Sequence, residues 1–142
     1  MYNKVYIYPA IITKLAENDY NIEFPDFNYI MTYGESIEDA YIMAEDALKL
    51  ELFDLYTDNL NIPEPSNLYN FKVNKNQYII LVRVNFYDLI KEKDNKSVKK
   101  TLSIPSWLNK MAEKENINFS QVLQESLKNI LKIQWKELYY RY

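Results

Sequence analysis

The 142-residue chain contains no cysteine and no histidine. These two absences remove disulfides, Cys/His zinc sites, thiol and imidazole nucleophiles and imidazole general bases together. A chain without cysteine also fits a reducing cytosol, so a cytoplasmic location is expected. There is a single glycine, Gly34, which is expected to sit in a turn. No apolar run approaches the roughly 20 residues of a membrane span. The N-terminus MYNKVYIYPA lacks the long apolar stretch of a secretory signal. The expectation is a soluble intracellular protein with no membrane partner.

What is present is an ordinary apolar fraction, 48%, and a high aromatic fraction, 15%, carried mostly by 14 tyrosines. Most tyrosines fall at buried spacing, which favours core and interface over a base-stacking platform. The net charge of −3 hides an asymmetry. Residues 1–94 hold 8 Lys and Arg against 16 Asp and Glu, whereas residues 95–142 hold 9 against 4. An acidic front and a basic back suggest two modules with different partners. The polar segment Lys91–Ser97, KEKDNKS, lies at the break. The expected organisation is a first domain over 1–92, a linker over 93–97, and a second domain over 98–142 that includes a C-terminal extension.

The fold class read from the pattern is α+β. Val5–Ile12 reads as a strand, with Pro9 placing it at an edge or bulge. Tyr20, Ile22 and Phe24 alternate with polar residues as a second strand, after turn chemistry at Asn18-Asp19. Tyr29–Tyr33 is a third strand. Ser36 opens a helix by capping-box spacing with Asp39, and Ala40, Ala44, Ala47 and Leu48 follow on one face to about Leu55. Ile62–Ser66, with two prolines, is a stiff extended connection. Tyr78–Val84, nearly all apolar, reads as a strand buried on both faces. The order βββαβ makes a small sandwich of one sheet and one helix.

Past the linker, Val98–Ile104 is a short alternating strand. Leu102 and Ile104 share one face, and Lys99, Thr101 and Ser103 the other. Pro105 and Ser106 start a helix that stops at Asn116, and Asn118 caps a second helix, with Gln121 three residues on. Phe119, Val122, Leu123, Ser126, Leu127, Ile130 and Leu131 then repeat at helical spacing, the strongest periodicity in the chain. Such a strand has no partner nearby in sequence. Paired with its own copy across a two-fold axis, it makes a ribbon that fits the DNA major groove. A strand and two helices this short cannot bury a core alone. A homodimer is therefore expected, with Leu102, Ile104, Val122, Leu123, Leu127, Ile130 and Leu131 inside it and the possibility of a higher oligomer left open. Lys99, Thr101 and Ser103 would read bases. Lys96 and Lys100, and the first-turn N–H groups of Phe119 and Ser120 beside Asn118, would hold phosphates.

Two stretches resemble a known family. Phe24-Pro25-Asp26-Phe27, followed by Thr32, Gly34, Glu35, Ser36, Glu38, Asp39, Ala40, Ala44, Ala47 and Leu48, resembles the HicB antitoxins. Residues 98–131 look like a ribbon-helix-helix (βαα) domain, which some members carry at the C-terminus. One departure is Asn28-Tyr29, where the family usually has a residue and then Pro-Gly. The resemblance implies a partial RNase H-like first domain without nuclease activity, a HicA-type RNA-cleaving toxin as partner, and operator DNA as the second ligand. On this motif Phe24, Asp26, Phe27, Tyr29 and Glu35 are candidates for toxin contact, although Asp26 equally suits closing its own turn. A stand-alone repressor with a ligand-sensing first domain is the alternative. Catalysis is not expected. Asp19, Glu23 and Asp26 have no partner carboxylate in the strand Tyr78–Val84, and no catalytic residue, metal ligand or cofactor is assigned.

Overall fold

The structure is a computed structural model that describes Tyr2 and residues 4–133. The chain divides into two compact units, Met1–Asn95 and Lys96–Tyr142.

The first unit is a four-stranded sheet with helices on one face. Its strands are β1 (Val5–Ala16), β2 (Asp19–Glu23), β3 (Met31–Gly34) and β4 (Gln77–Asn85), in the order β3-β2-β1-β4 with every pairing antiparallel. Helix α1 (Ile37–Thr57) and helix α2 (Phe86–Lys93) cover the inner face. That face carries Tyr6, Tyr8, Ala10 and Ile12 of β1, Ile22 of β2, and Val82 and Val84 of β4, all buried. Against them α1 presents Ala40, Ala44, Leu48 and Leu52, each fully buried and four residues apart. Small residues at the N-terminal end let the helix backbone lie close to the sheet, and leucines complete the buried stripe.

Local chemistry sets the boundaries. Asn18, at φ 58°, makes the left-handed step between β1 and β2 that asparagine tolerates. Ser36 caps α1, its Oγ accepting from Asp39 N–H at 3.0 Å, while Asp39 accepts from Glu35 N–H at 2.9 Å. Asn59, at φ 53°, ends α1, and Leu60 N–H returns to Leu55 C=O at 2.8 Å. Asn85 caps α2, a helix the pattern reading missed. As a result Lys91–Lys93 of the expected linker form its last turn.

Pro9 lies in a strand paired on both sides, yet its missing donor costs no hydrogen bond. Lys14 N–H bonds Asn76 C=O and Phe86 N–H bonds Lys4 C=O, so even-numbered residues of β1 face β4. Residue 9 therefore points its nitrogen toward the β2 side, and β2 pairs with β1 only from Ile11 onward.

Three expectations are corrected. The strand β4 is buried on one face only: Leu81 and Arg83 of the outer face are exposed, and so is Tyr78 at the end of the inner face. A continuous apolar run thus belongs to an edge strand. The third strand starts at Met31, because Asn28 and Tyr29 belong to a turn that Ile30 N–H closes onto Phe27 C=O. Gly34 is the last residue of β3 with no positive φ, so turn conformation is not its role. A Cβ at Gly34 would lie 2.4 Å from the backbone nitrogen of Ala40 and 2.5 Å from its Cα. The glycine is there for close approach.

The second unit holds α3 (Ser106–Lys114) and α4 (Phe119–Ile130). Asn116, at φ 53°, stops α3, and Ile117 N–H returns to Ala112 C=O at 3.0 Å. Asn118 caps α4 by accepting from Gln121 N–H at 3.1 Å. Residues 94–105 form no regular element, so the strand expected over 98–104 is not present in the single chain. Extended backbone becomes a strand only when paired, and no described segment pairs with it. The second helix does not run on into the tail: Lys132 turns left-handed at φ 55°, and residues 134–142 lie outside the described residues.

Replacing Gly34 by alanine should drive α1 away from β3. The expected loss is about 1–3 kcal/mol or more, the usual scale of overpacking. Urea unfolding measures it, and an unchanged midpoint would remove the close-approach role.

Candidate partner and nucleic-acid interfaces

The Phe-Pro-Asp-Phe motif folds as a turn, with Phe27 N–H bonded to Phe24 C=O at 3.0 Å. Phe24 and Phe27 are 1% and 5% exposed, and Phe27 packs edge-on against Tyr8. Both side chains belong to the core, which leaves them almost no surface for a partner. The Asp26 carboxylate accepts from Ser66 N–H at 3.1 and 3.2 Å and from Ser66 Oγ–H. Ser66 lies 40 residues away, at the end of the proline-stiffened connection. The same connection is held a second time by Tyr8, whose hydroxyl donates to Pro63 C=O. Burial, reinforced by the negative neighbours Asp26 and Glu64, pushes the Tyr8 hydroxyl far above its ordinary value. The motif therefore moors residues 62–66 across the fold. Nothing local in the sequence pairs Asp26 with Ser66, so the partner could not be read from it.

Tyr29 is 71% exposed and donates to Glu51 of α1. That bond to a carboxylate raises its hydroxyl above the usual value. Glu35 is exposed and lines an open cleft of about 940 Å³ with Asn18, Asp19, Tyr33, Ser36, Asp39 and Met43. Of the five motif residues, then, Tyr29 and Glu35 reach solvent freely and Asp26 partly so.

The outer face of the sheet carries exposed apolar groups that the motif reading overlooked. One row across it runs Ile79, Ile11, Glu23, Met31, and the next runs Gln77, Thr13, Asn21, Tyr33. Met31 and Tyr33 are exposed, as are Ile7 and Leu81 on the same face. Asn21 keeps a buried carboxamide oxygen without a hydrogen-bond partner. Among the described residues no three His, Cys, Asp or Glu side chains are placed to hold a metal ion, and no helix is long and apolar enough to cross a membrane.

The second unit has a different character. Lys96, Lys99, Lys100, Thr101 and Ser103 are all exposed, on a segment without regular structure. Asn118 is occupied as a cap, and no acidic residue stands in the first turn of α4 near the N–H groups of Phe119 and Ser120. None of its described residues is buried. Leu102, Ile104, Val122, Leu127, Ile130 and Leu131 are 45–72% exposed, and Leu123 is half-buried. Both helices present an apolar face that the described residues leave largely exposed.

The pattern of the family described as HicB_like antitoxin of bacterial toxin-antitoxin system matches residues 7–84, all of β1 to β4 but their ends. The chain belongs to the HicB-like antitoxin family. Two curated relatives, Antitoxin HicB of Escherichia coli strain K12 and of strain O157:H7, are each 42% identical over 62 residues. The match spans 43% of this chain and 44% of each relative. A toxin–antitoxin complex from Streptococcus pneumoniae contains a chain 27% identical, with a TM-score of 0.57, over 88% of this chain and 98% of that one. The crystal structure of the Burkholderia pseudomallei antitoxin HicB shares the fold at 19% identity and a TM-score of 0.53, over 86% and 96%. HicB antitoxins are regulatory proteins rather than enzymes.

Two outcomes test the mooring of residues 62–66. Asp26→Ala should cost about 1–3 kcal/mol in urea unfolding by leaving Ser66 unpaired, the scale of a lost buried hydrogen bond. An unperturbed midpoint would show the bonds to be idle. Tyr8 gives a pH dependence. Its folded value is raised, so the unfolded state releases the proton first, near 10.0. Its contribution is full below that pH and is lost as pH rises above it. The drop in unfolding midpoint between pH 8 and pH 10.5 should be smaller in Tyr8→Phe than in the parent chain.

Proposed function

We propose that this chain is an antitoxin with a division of labour between its two units. The first unit binds a HicA-type toxin and occludes its RNA-cleaving site; the second dimerises, binds operator DNA and represses the operon that encodes the pair. In this reading the first unit is the family's partial RNase H-like scaffold without nuclease chemistry, and the second is a ribbon-helix-helix domain.

The observation that carries the reading is the contrast in burial. The first unit is complete by itself, with an aromatic core and a net acidic surface. The second is helical yet buries none of its described residues. Amphipathic helices with an open apolar face are stabilised by covering that face, and two-fold pairing covers both copies with one interface. Pairing would also supply residues 98–104 with the strand partner they lack. Lys99, Thr101 and Ser103 would then lie on the outer face of the ribbon, and Lys96 and Lys100 near its ends. Inhibition needs no catalysis. A protein that cleaves RNA must hold a polyanion, so a basic surface on it is complementary to the acidic first unit. The Streptococcus pneumoniae complex supports the toxin as partner.

The test is a co-expression assay with the neighbouring small reading frame, together with DNA titrations. A chain ending at Asp94 should still neutralise the toxin but lose the operator. Leu127→Asp should place an unpaired charge in the proposed dimer core, separating the second units and abolishing operator binding, while neutralisation persists. Operator binding by a folded monomer would overturn the dimeric reading. Loss of neutralisation by a folded truncated chain would overturn the division of labour.

A further inference from the structure

The far edge of β4 is open. The narrow pairs of the β1–β4 ladder fall on even-numbered residues, as the bonds at Lys14 and Phe86 fix. The backbone groups of Ile79, Leu81 and Arg83 therefore point away from β1, and no described strand lies on that side. Nine residues long, this edge has no proline and no bulge, and its one charge is Arg83. Side chains are half open on both of its faces, Leu81 at 49% on the outer face and Tyr78 at 49% on the inner. Proteins that keep an edge in solvent usually blunt it with charge, proline or a bulge.

We infer that β4 pairs antiparallel with β4 of a second copy, joining two sheets into one of eight strands. The occupant is a second copy because the edge is self-complementary about Leu81, the middle residue of β4. A two-fold axis there makes Leu81 a narrow pair with its own copy and sets Ile79 opposite Arg83 in both directions. Each outward N–H and C=O of these three residues gains a partner. No like charges meet, whereas an axis at Arg83 would oppose two guanidinium groups. Leu81 packs on its copy across the outer face, and Tyr78 of the inner face comes opposite Val84, both ends gaining cover. A ladder this short buries less than a stand-alone interface of roughly 1,200–2,000 Å², so it is a weak contact that adds to any other association of the chains. The pairing goes beyond the antitoxin reading and does not rest on it.

The chain's lack of cysteine gives a direct test on the full-length protein. Two narrow-pair Cα atoms lie about 5.5 Å apart, within disulfide reach. Leu81→Cys should therefore cross-link into a covalent dimer under mild oxidation at least tenfold faster than Leu15→Cys, an exposed position of β1 away from the β4 edge. In the unaltered chain, the Ile79, Leu81 and Arg83 amides should exchange hydrogen slowly. In a Leu81→Lys chain, which opposes two cations, the Ile79 and Arg83 amides should speed up at least tenfold, while Ile80, Val82 and Val84, bonded to β1, stay protected. Equal cross-linking at the two cysteine positions overturns the pairing. So does equally fast exchange at Ile79 and Arg83 in both chains.

Discussion

The first unit depends on how closely one helix can lie on one sheet. Gly34 ends β3 and Ala40 lies in the first turns of α1, with backbone atoms where any side chain on residue 34 would have to sit. Ser36 and Asp39 fix the start of that helix between them. The close approach then sets the depth of the whole inner layer. Ala44, Leu48 and Leu52 follow Ala40 on the same buried face, in one core with Tyr6 and Tyr8. The second fixed point is the mooring of residues 62–66, by Asp26 to Ser66 and by Tyr8 to Pro63. It returns the chain from the end of α1 toward β4.

The two units are stabilised by different kinds of contact. One buries large aromatic groups from strands far apart in sequence and needs no partner to do so. The other has well-capped helices, stopped by Asn116 and started by Asn118, whose apolar faces are bare. Caps and periodicity define a helix; they do not give it anything to pack against. The division of charge follows the same line, acidic where the fold is complete and basic where it is open.

Much of this was legible in residue order. The capped start of α1, the alanine stripe, the Asn18 turn and both helices of the second unit follow local rules, and local rules are visible in a sequence. What was not legible depends on distance. The apolar run of β4 reads as doubly buried because composition cannot say that a strand lies at an edge. Gly34 reads as a turn residue because its clash is with a residue on another element. Phe24 and Phe27 sit in a recognisable motif, yet their side chains serve the core, while Tyr29 and Glu35 of the same set stay exposed. The helix over Phe86–Lys93 was missed because a charged run of lysine and glutamate resembles a linker when its one buried pair, Phe86 and Leu89, is counted with the strand before it.

The register of β1 has a consequence for synthesis. This central strand precedes the rest of its sheet in the chain, yet Val5 pairs with Asn85, eighty positions later. Until β4 has left the ribosome, β1 can form only its hairpin with β2, and its other edge has no partner. The sheet closes late, through contacts of long sequence separation, which is the slow route to a folded state. Once it closes, however, only α2 remains to complete the core. The unit that is self-sufficient can thus be finished while the basic one is still being translated. Order along the chain then allows an order in time, with the acidic unit free to close ahead of the open helices.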